Sequence, residues 1–133
     1  MNIIRYGSAF ETTQQRIIFR DSLNDQGNLF GGTALKWMDE VSYITASKFS
    51  HQRMITVSVE KVKFLLPVPI GSWVEVTGNV ISAGNVKLTI DVEIWMHELR
   101  TETRRKAVEG VFTFAPVNDQ GTPVALAAAV VTP

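Results

Sequence analysis

Hydrophobic and polar positions repeat with a helical period over residues 31–49. This segment opens with two glycines and then holds no proline or further glycine. At 100° per residue, Lys36 and Glu40 fall on a polar face, and Asp39 lies at the edge of the apolar face. The apolar face collects Ala34, Leu35, Met38, Val41, Thr45, Ala46 and Phe49. We therefore predict one long helix that is covered on most sides.

Strand patterns, in which apolar and polar residues alternate or β-branched residues cluster, occupy five other segments. They cover residues 16–19, 54–69, 72–82, 86–98 and 107–117, with Pro67, Pro69 and Gly71 ending the second. The segments between them are rich in turn-forming or charged residues. The predicted order is one strand, one long helix and four strands joined by short connections, which favours antiparallel pairing.

The predicted fold class is α+β: a five-stranded antiparallel sheet wrapped around one long central helix. The last strand is apolar on both faces. One face carries Val108, Phe112 and Phe114, and the other carries Ala107, Val111 and Ala115. Because an antiparallel sheet needs only one buried face, we expect another subunit to cover part of it, which predicts at least a dimer.

Composition excludes several classes of function. Thirteen acidic residues balance 13 Lys and Arg, so no net field attracts nucleic acid or an anionic membrane. With no cysteine, the chain has no disulfide, thiol nucleophile or thiolate metal site. The first residues lack the apolar core of a signal peptide, and no apolar run reaches the length of a membrane span. We expect a soluble cytoplasmic protein.

Ordered motifs give the sequence a family resemblance. They are Asn-Asp-Gln-Gly-Asn-Leu-Phe-Gly-Gly at 24–32, Trp-Met-Asp-Glu at 37–40, Thr-Val-Ser-Val at 56–59, Phe64 and Pro67 before Gly71, and Val-Phe-Thr-Phe at 111–114. In this order and spacing they resemble hotdog-fold acyl-CoA thioesterases, in particular the YciA-like and brown-fat-type acyl-CoA hydrolases. The resemblance covers residues 12–121. It implies a single hotdog domain over residues 1–133 with a tail at 122–133.

The resemblance also assigns the reaction. It implies hydrolysis of acyl-CoA to a fatty acid and free coenzyme A, with Asp39 as general base or nucleophile. Asn24 matches the family residue that orients the water or the carbonyl. Gly31 and Gly32 are placed to offer N–H groups at a helix amino terminus to the carbonyl oxygen. Taken alone, Asp39 could be a surface carboxylate, Asn24 a turn residue, and the glycines a packing feature.

Further substrate contacts are expected from Thr56, Ser58, Gly84, Asn85 and Lys87. The hydroxyl of Thr56 could bond Asp39 or a water, although a β-branched residue also suits a strand for packing. The family usually has an arginine directly after the glycine of this turn and associates the turn with coenzyme A recognition. This chain has Asn85 there, so Lys87, Lys61, Lys63 or the basic run at 104–106 would have to hold the phosphates.

Two histidines do not fit a catalytic role. His51 lies in a predicted loop, and His97 lies on the polar side of a strand without clustered carboxylates, so no metal site is predicted. Hotdog dehydratases need a histidine near the helix that this chain lacks. No metal or redox cofactor is expected, and coenzyme A enters as part of the substrate. The alternative hypothesis is a non-hydrolytic module that binds acyl-CoA or acyl-carrier protein. The resemblance further implies paired hotdogs, assembled into a tetramer or hexamer.

Overall fold

The computed structural model describes residues 10–127, so the first nine residues and part of the predicted tail at 122–133 lie outside the described residues. Its elements are β1 (Thr12–Ile17), a short 3-10 turn (Arg20–Ser22), α1 (Gly31–Ser50), β2 (Met54–Phe64), β3 (Trp73–Ala83), β4 (Leu88–His97) and β5 (Arg104–Pro116). No helix within residues 10–127 is long and apolar enough to cross a membrane.

The five strands form one antiparallel sheet in the order β1-β3-β4-β5-β2. This confirms the predicted fold class. Strands β1 and β2 are the two edges, and α1 packs across one face of the sheet. The face of α1 against the sheet is the predicted one: Ala34, Met38, Val41, Thr45, Ala46 and Phe49 are buried, and Leu35 is half-buried.

Small residues let α1 approach the sheet closely. A Cβ at Gly78 on β3 would stand 2.7 Å from Thr45 Oγ1, so only glycine leaves room for the helix there. The buried Thr45 hydroxyl donates to the Thr12 hydroxyl over 2.8 Å. This bond satisfies two buried polar groups and ties α1 to the edge strand β1.

Three predicted strand boundaries are wrong. The first strand was predicted at 16–19 but runs over Thr12–Ile17, because its polar residues pair with β3 from Thr12 onward. The second was predicted to reach residue 69 but ends at Phe64, where the N–H groups of Leu65 and Leu66 both donate to Ala107 O. The last begins at Arg104 rather than residue 107, since its charged start pairs with the end of β4.

Candidate active site

Asp39 lies in the middle of α1, half-buried, where the helix passes the edge strand β2. The Thr56 hydroxyl donates a hydrogen bond to Asp39 Oδ1 over 2.8 Å. Of the two partners expected for this hydroxyl, Asp39 and a water, the structure shows Asp39. The neighbouring Glu40 is exposed and faces Arg16, whose guanidinium lies 3.9 Å from its carboxylate. The structure therefore separates the two adjacent carboxylates into different surroundings.

Helix α1 and strand β2 run antiparallel along an open seam, which we call the α1–β2 seam. Phe64 lies at its beginning, with its ring 3.4 Å from the position that a Cβ at Gly31 would occupy. Thr56 and Asp39 lie in its middle, and Tyr43 follows one helical turn later. Phe64 is 56% exposed and Tyr43 is 45% exposed. The α1–β2 seam is therefore uncovered on the side away from β5.

The amino end of α1 carries the two glycines. The helix begins at Gly31, and the preceding Phe30 offers no side-chain acceptor to its first turn. The bond from Ala34 N–H to Phe30 O, at 3.0 Å, is the first along the helix, so the N–H groups of Gly31 and Gly32 precede the helical ladder. Gly31 lines a cavity, whereas Gly32 is exposed outside that lining. The two predicted carbonyl-binding residues thus have different surroundings.

The cavity beside Gly31 has a volume of about 310 Å³ and also contains Asn24. Asn24 Oδ1 accepts hydrogen bonds from Gln26 N–H at 2.9 Å and from Asn28 N–H at 3.1 Å. Asn24 therefore stabilises the turn, as expected for an asparagine in this segment. These bonds use its side-chain oxygen and do not use its amide N–H groups. The apolar part of the lining is Leu29, Ala34, Phe64, Leu65, Leu66, Pro67, Val68 and Val108. The structure brings Asn24 and Gly31 to one cavity, and Asp39 does not line it within this chain.

The turn between β3 and β4 lies at the same end of the sheet as Thr56. Thr56 is opposite Phe114 on β5, and Phe114 is opposite Leu88 at the start of β4. Thr56 and Leu88 are therefore two strand spacings apart, at about 4.8 Å each, and the turn directly precedes Leu88. Gly84 N–H donates to Lys87 O over 2.8 Å and closes the turn. Gly84, Asn85 and Lys87 are all exposed and available to a ligand.

Ser58 does not lie beside Asp39. The β2–β5 register shifts between Thr56 and Ser58, and Ser58 then pairs with Thr113. Thr113 is half-buried on the face of β5 away from α1, between the buried Phe112 and Phe114. Because the shift places Ser58 on that outer face, the structure does not support a role for it beside Asp39.

The basic run at 104–106 lies at the other end of the sheet, because Arg104 pairs with His97 at the end of β4. Arg104 stacks on Trp95 at 4.2 Å. Lys106 Nζ donates to Glu93 Oε2 over 3.0 Å, and this bond raises the pKa of Lys106. With β4 about 30 Å long, this run is not near the Gly84 turn of its own chain.

Neither histidine lies in the α1–β2 seam. His51 ends α1 with a left-handed backbone conformation, φ 54°. His97 bonds Glu75 and stacks on Trp73 with 3.8 Å between ring centroids. Within residues 10–127, no three potential metal-ligating side chains gather at one point.

Two residues of the α1–β2 seam had no predicted role. The contact of Phe64 with Gly31 joins positions distant in sequence, and no local pattern indicates it. Tyr43 is recognisable from sequence only as a helical neighbour of Asp39, four positions further on. Its contact with Phe114 depends on the packing of α1 against β5.

A family model described as the thioesterase superfamily matches residues 26–103, more than half of the chain. The acyl-CoA thioester hydrolase YciA of Escherichia coli (strain K12) is 34% identical over 106 residues, which are 77% of this chain and 80% of that protein.

Two solved structures extend the comparison. An acyl-CoA hydrolase from Staphylococcus aureus, in complex with butyryl coenzyme A, coenzyme A and coenzyme A disulfide, has a TM-score of 0.85 and 26% identity over 92% of this chain and 75% of that chain. A hexameric thioesterase from Yersinia pestis has a TM-score of 0.80 and 31% identity over 86% of this chain and 93% of that chain. Variants of the Staphylococcus aureus enzyme with a threonine, an asparagine or an aspartate changed to alanine also match.

Proposed function

This chain belongs to the thioesterase superfamily, and we propose that it hydrolyses acyl-CoA to a carboxylic acid and free coenzyme A. The observation that carries this proposal is the bond from the Thr56 hydroxyl to Asp39 Oδ1, 2.8 Å long, in the open α1–β2 seam. A carboxylate held in a fixed orientation beside an apolar helix face is suited to activate water. The Escherichia coli relative is named an acyl-CoA thioester hydrolase, which supports an acyl-CoA thioester as the substrate.

Asp39 acts on the attacking group. Thr56 fixes Oδ1, and Oδ2 is then directed to the reaction. As a general base, Oδ2 accepts a proton from water while the water oxygen attacks the thioester carbonyl carbon; the C–S bond then breaks and coenzyme A leaves as a thiolate. As a nucleophile, Oδ2 attacks the same carbon, the C–S bond breaks and coenzyme A leaves as a thiolate, which gives a mixed anhydride of Asp39 and the acyl group. Water then hydrolyses this anhydride to the carboxylic acid and the free Asp39 carboxylate. Both routes need the same geometry of Thr56 and Asp39.

The amino end of α1 stabilises the carbonyl oxygen. Negative charge develops on that oxygen during attack, and free N–H groups at a helix amino terminus stabilise it. Gly31 is the better placed of the two glycines because it lines the cavity that holds Asn24. The amide of Asn24 donates to the water or the carbonyl, while its Oδ1 keeps the loop in shape through Gln26 and Asn28.

Each active site is assembled from two subunits. Asn24 and Gly31 share a cavity that Asp39 does not line within one chain, so a second copy completes the site. The edge strand β2 exposes Ile55, Val57 and Val59, each more than 40%, beside the α1–β2 seam. Exposed apolar side chains on an unpaired strand edge favour pairing with another chain. We propose a dimer as the functional unit, assembled into a tetramer or hexamer; the Yersinia pestis relative is hexameric.

The choice of residues has support from a relative. The three residues replaced by alanine in the Staphylococcus aureus variants are an asparagine, an aspartate and a threonine, in that order along its chain. They follow one another at the same intervals as Asn24, Asp39 and Thr56 do here. This agreement supports, for this chain, the assignment of these three residues to one site.

No metal or redox cofactor enters the proposed reaction, since the carboxylate, the amide and the backbone N–H groups supply its chemistry. A cytoplasmic location stays a prediction. The test is release of free coenzyme A from purified protein across a panel of acyl-CoA thioesters, with Asp39→Asn as control. Release by the parent and not by the control is expected. Tight acyl-CoA binding without release would instead favour the non-hydrolytic binding module.

A further inference from the structure

Tyr43 lies on α1 one turn beyond Asp39, on the same side of the helix. Residues four apart on a helix are neighbours, with about 5–6 Å between their Cβ atoms. Helix side chains also lean toward the amino end, so the ring of Tyr43 is directed toward the turn that contains Asp39. Tyr43 is therefore adjacent to the proposed base.

Contacts with the sheet fix one side of the Tyr43 ring. The ring packs edge-on against Phe114, with 6.4 Å between centroids and 62° between planes. Phe114 is fully buried and is the cross-strand partner of Thr56, which bonds Asp39. These contacts form one continuous cluster of Tyr43, Phe114, Thr56 and Asp39. Phe114 packs against the Tyr43 ring and lies opposite Thr56, which holds the Asp39 carboxylate.

The other side of the ring is open to the α1–β2 seam. Tyr43 is 45% exposed. An aromatic ring that is held on one side and open on the other offers a rigid apolar surface.

We propose that Tyr43 sets the upper size limit of the acyl group, an inference that rests on the proposed hydrolysis at Asp39. The acyl chain is bonded to the carbonyl carbon that is attacked, so its first carbons must lie within a few ångströms of Asp39. The ring of Tyr43 fills part of that space. It leaves room for a short straight chain and excludes a long chain or one branched next to the carbonyl.

The test compares kcat/KM for acetyl-, butyryl-, isobutyryl-, octanoyl- and palmitoyl-CoA, and for butyryl-pantetheine, in the parent and three variants. Tyr43→Ala is expected to raise kcat/KM for the longer and branched substrates by about tenfold or more relative to acetyl-CoA, in line with the discrimination of an apolar pocket. Tyr43→Phe is the matched control and should keep the parent profile, because the ring and not the hydroxyl sets the limit. Tyr43→Trp, which has a larger ring, should lower kcat/KM for butyryl-CoA relative to acetyl-CoA.

Several outcomes would overturn the inference. If the parent releases coenzyme A but Tyr43→Ala and Tyr43→Trp both keep its profile, Tyr43 does not limit the acyl group and the proposed function stands. If Tyr43→Ala changes only the ratio of butyryl-CoA to butyryl-pantetheine, the ring contacts the leaving group instead. If the parent releases no coenzyme A from any substrate, the proposed function itself fails. Should Tyr43→Ala not fold, Tyr43→Leu gives the same comparison.

Discussion

Thr56 fixes the orientation of Asp39 by donating its hydroxyl hydrogen to Oδ1 over 2.8 Å. The bond joins an exposed edge strand to the middle of the long helix, 17 residues earlier in the chain. Hydrogen bonds to an ionised acceptor are stronger than neutral ones, so this contact defines which carboxylate oxygen is free. It makes Thr56 a positioning residue whose effect on the reaction passes through Asp39.

We expect Thr56→Val to lower kcat about tenfold or more while KM stays close to the parent value. Valine keeps the β-branched shape of the strand residue and removes the hydroxyl, so the carboxylate loses its fixed orientation but the apolar contacts remain. Thr56→Ser, which retains a hydroxyl, should recover most of the rate. Steady-state kinetics of the three proteins decides the matter. A loss of rate in the serine variant with none in the valine variant would mean that the methyl group of Thr56, and not its hydroxyl, matters.

Asp39→Asn should reduce turnover at least about a hundredfold without unfolding the protein. Asparagine has nearly the same shape and can still accept the bond from Thr56, but it cannot accept a proton from water or form the anhydride. The matched control is Glu40→Gln, the same chemical change at the exposed neighbouring position. The measurement is coenzyme A release together with a thermal unfolding curve. Parent-like hydrolysis by a folded Asp39→Asn protein would contradict the assignment of Asp39.

Asn24→Asp separates the two roles of Asn24. Aspartate keeps the acceptor oxygen for the N–H groups of Gln26 and Asn28, so the loop and the melting temperature should be preserved. It loses the amide donor, and we expect kcat to fall about a hundredfold. Asn24→Ala should lose both activity and some stability. An Asn24→Asp protein with full activity would show that Asn24 serves only the turn.

The helix and the central strands could be predicted because their burial follows one local period. Met38 and Val41 on α1, and Val76 and Ile90 on the sheet, alternate as their elements require and are fully buried. The first strand was misplaced because its inward residues include the polar Gln14 and Arg16, which carry no apolar signal. Only the pairing of β1 with β3 shows that they belong to a strand.

Within the candidate site, Asp39 was one of two partners expected for the Thr56 hydroxyl, because a strand next to the helix presents alternate residues to it. The positions of Ser58 and Phe64 were not predictable, since β2 has two register shifts against β5. Lys61, within the second shift, takes a left-handed conformation with φ 54°. Each shift changes which residues face the helix. Such irregularities follow from tertiary packing, and the alternation of residue types does not reveal them.

This chain should discriminate only weakly between an acyl-CoA and the same acyl-pantetheine. Asn85→Arg should strengthen the preference for the acyl-CoA. Asn85 is exposed in the turn closed by Gly84 N–H and Lys87 O, and its backbone oxygen accepts a hydrogen bond from Leu126 N–H. An arginine side chain there can bind a phosphate through charge-assisted bonds that asparagine cannot make. The measurement is the ratio of kcat/KM for an acyl-CoA to that for the same acyl-pantetheine, with Asn85→Gln as the uncharged control. A large ratio in the parent would mean that another basic residue, such as Lys87, already holds the nucleotide.

Mixing Asn24→Ala with Asp39→Ala subunits tests whether each active site is shared. Asn24 and Gly31 line a cavity that Asp39 of the same chain does not reach, so Asn24 of one subunit is expected to work with Asp39 of the other. Both homodimers are then inactive, because every site lacks one of the two residues. In a hybrid dimer one site collects both substitutions and the other has both residues intact. Random exchange makes about half of the dimers hybrid, so about a quarter of the parent activity should return in a two-fold symmetric dimer. Subunit exchange is confirmed by native mass spectrometry, and mixing each variant with itself is the control. Hybrid dimers that form without any return of activity would place Asn24 and Asp39 of one chain in the same site.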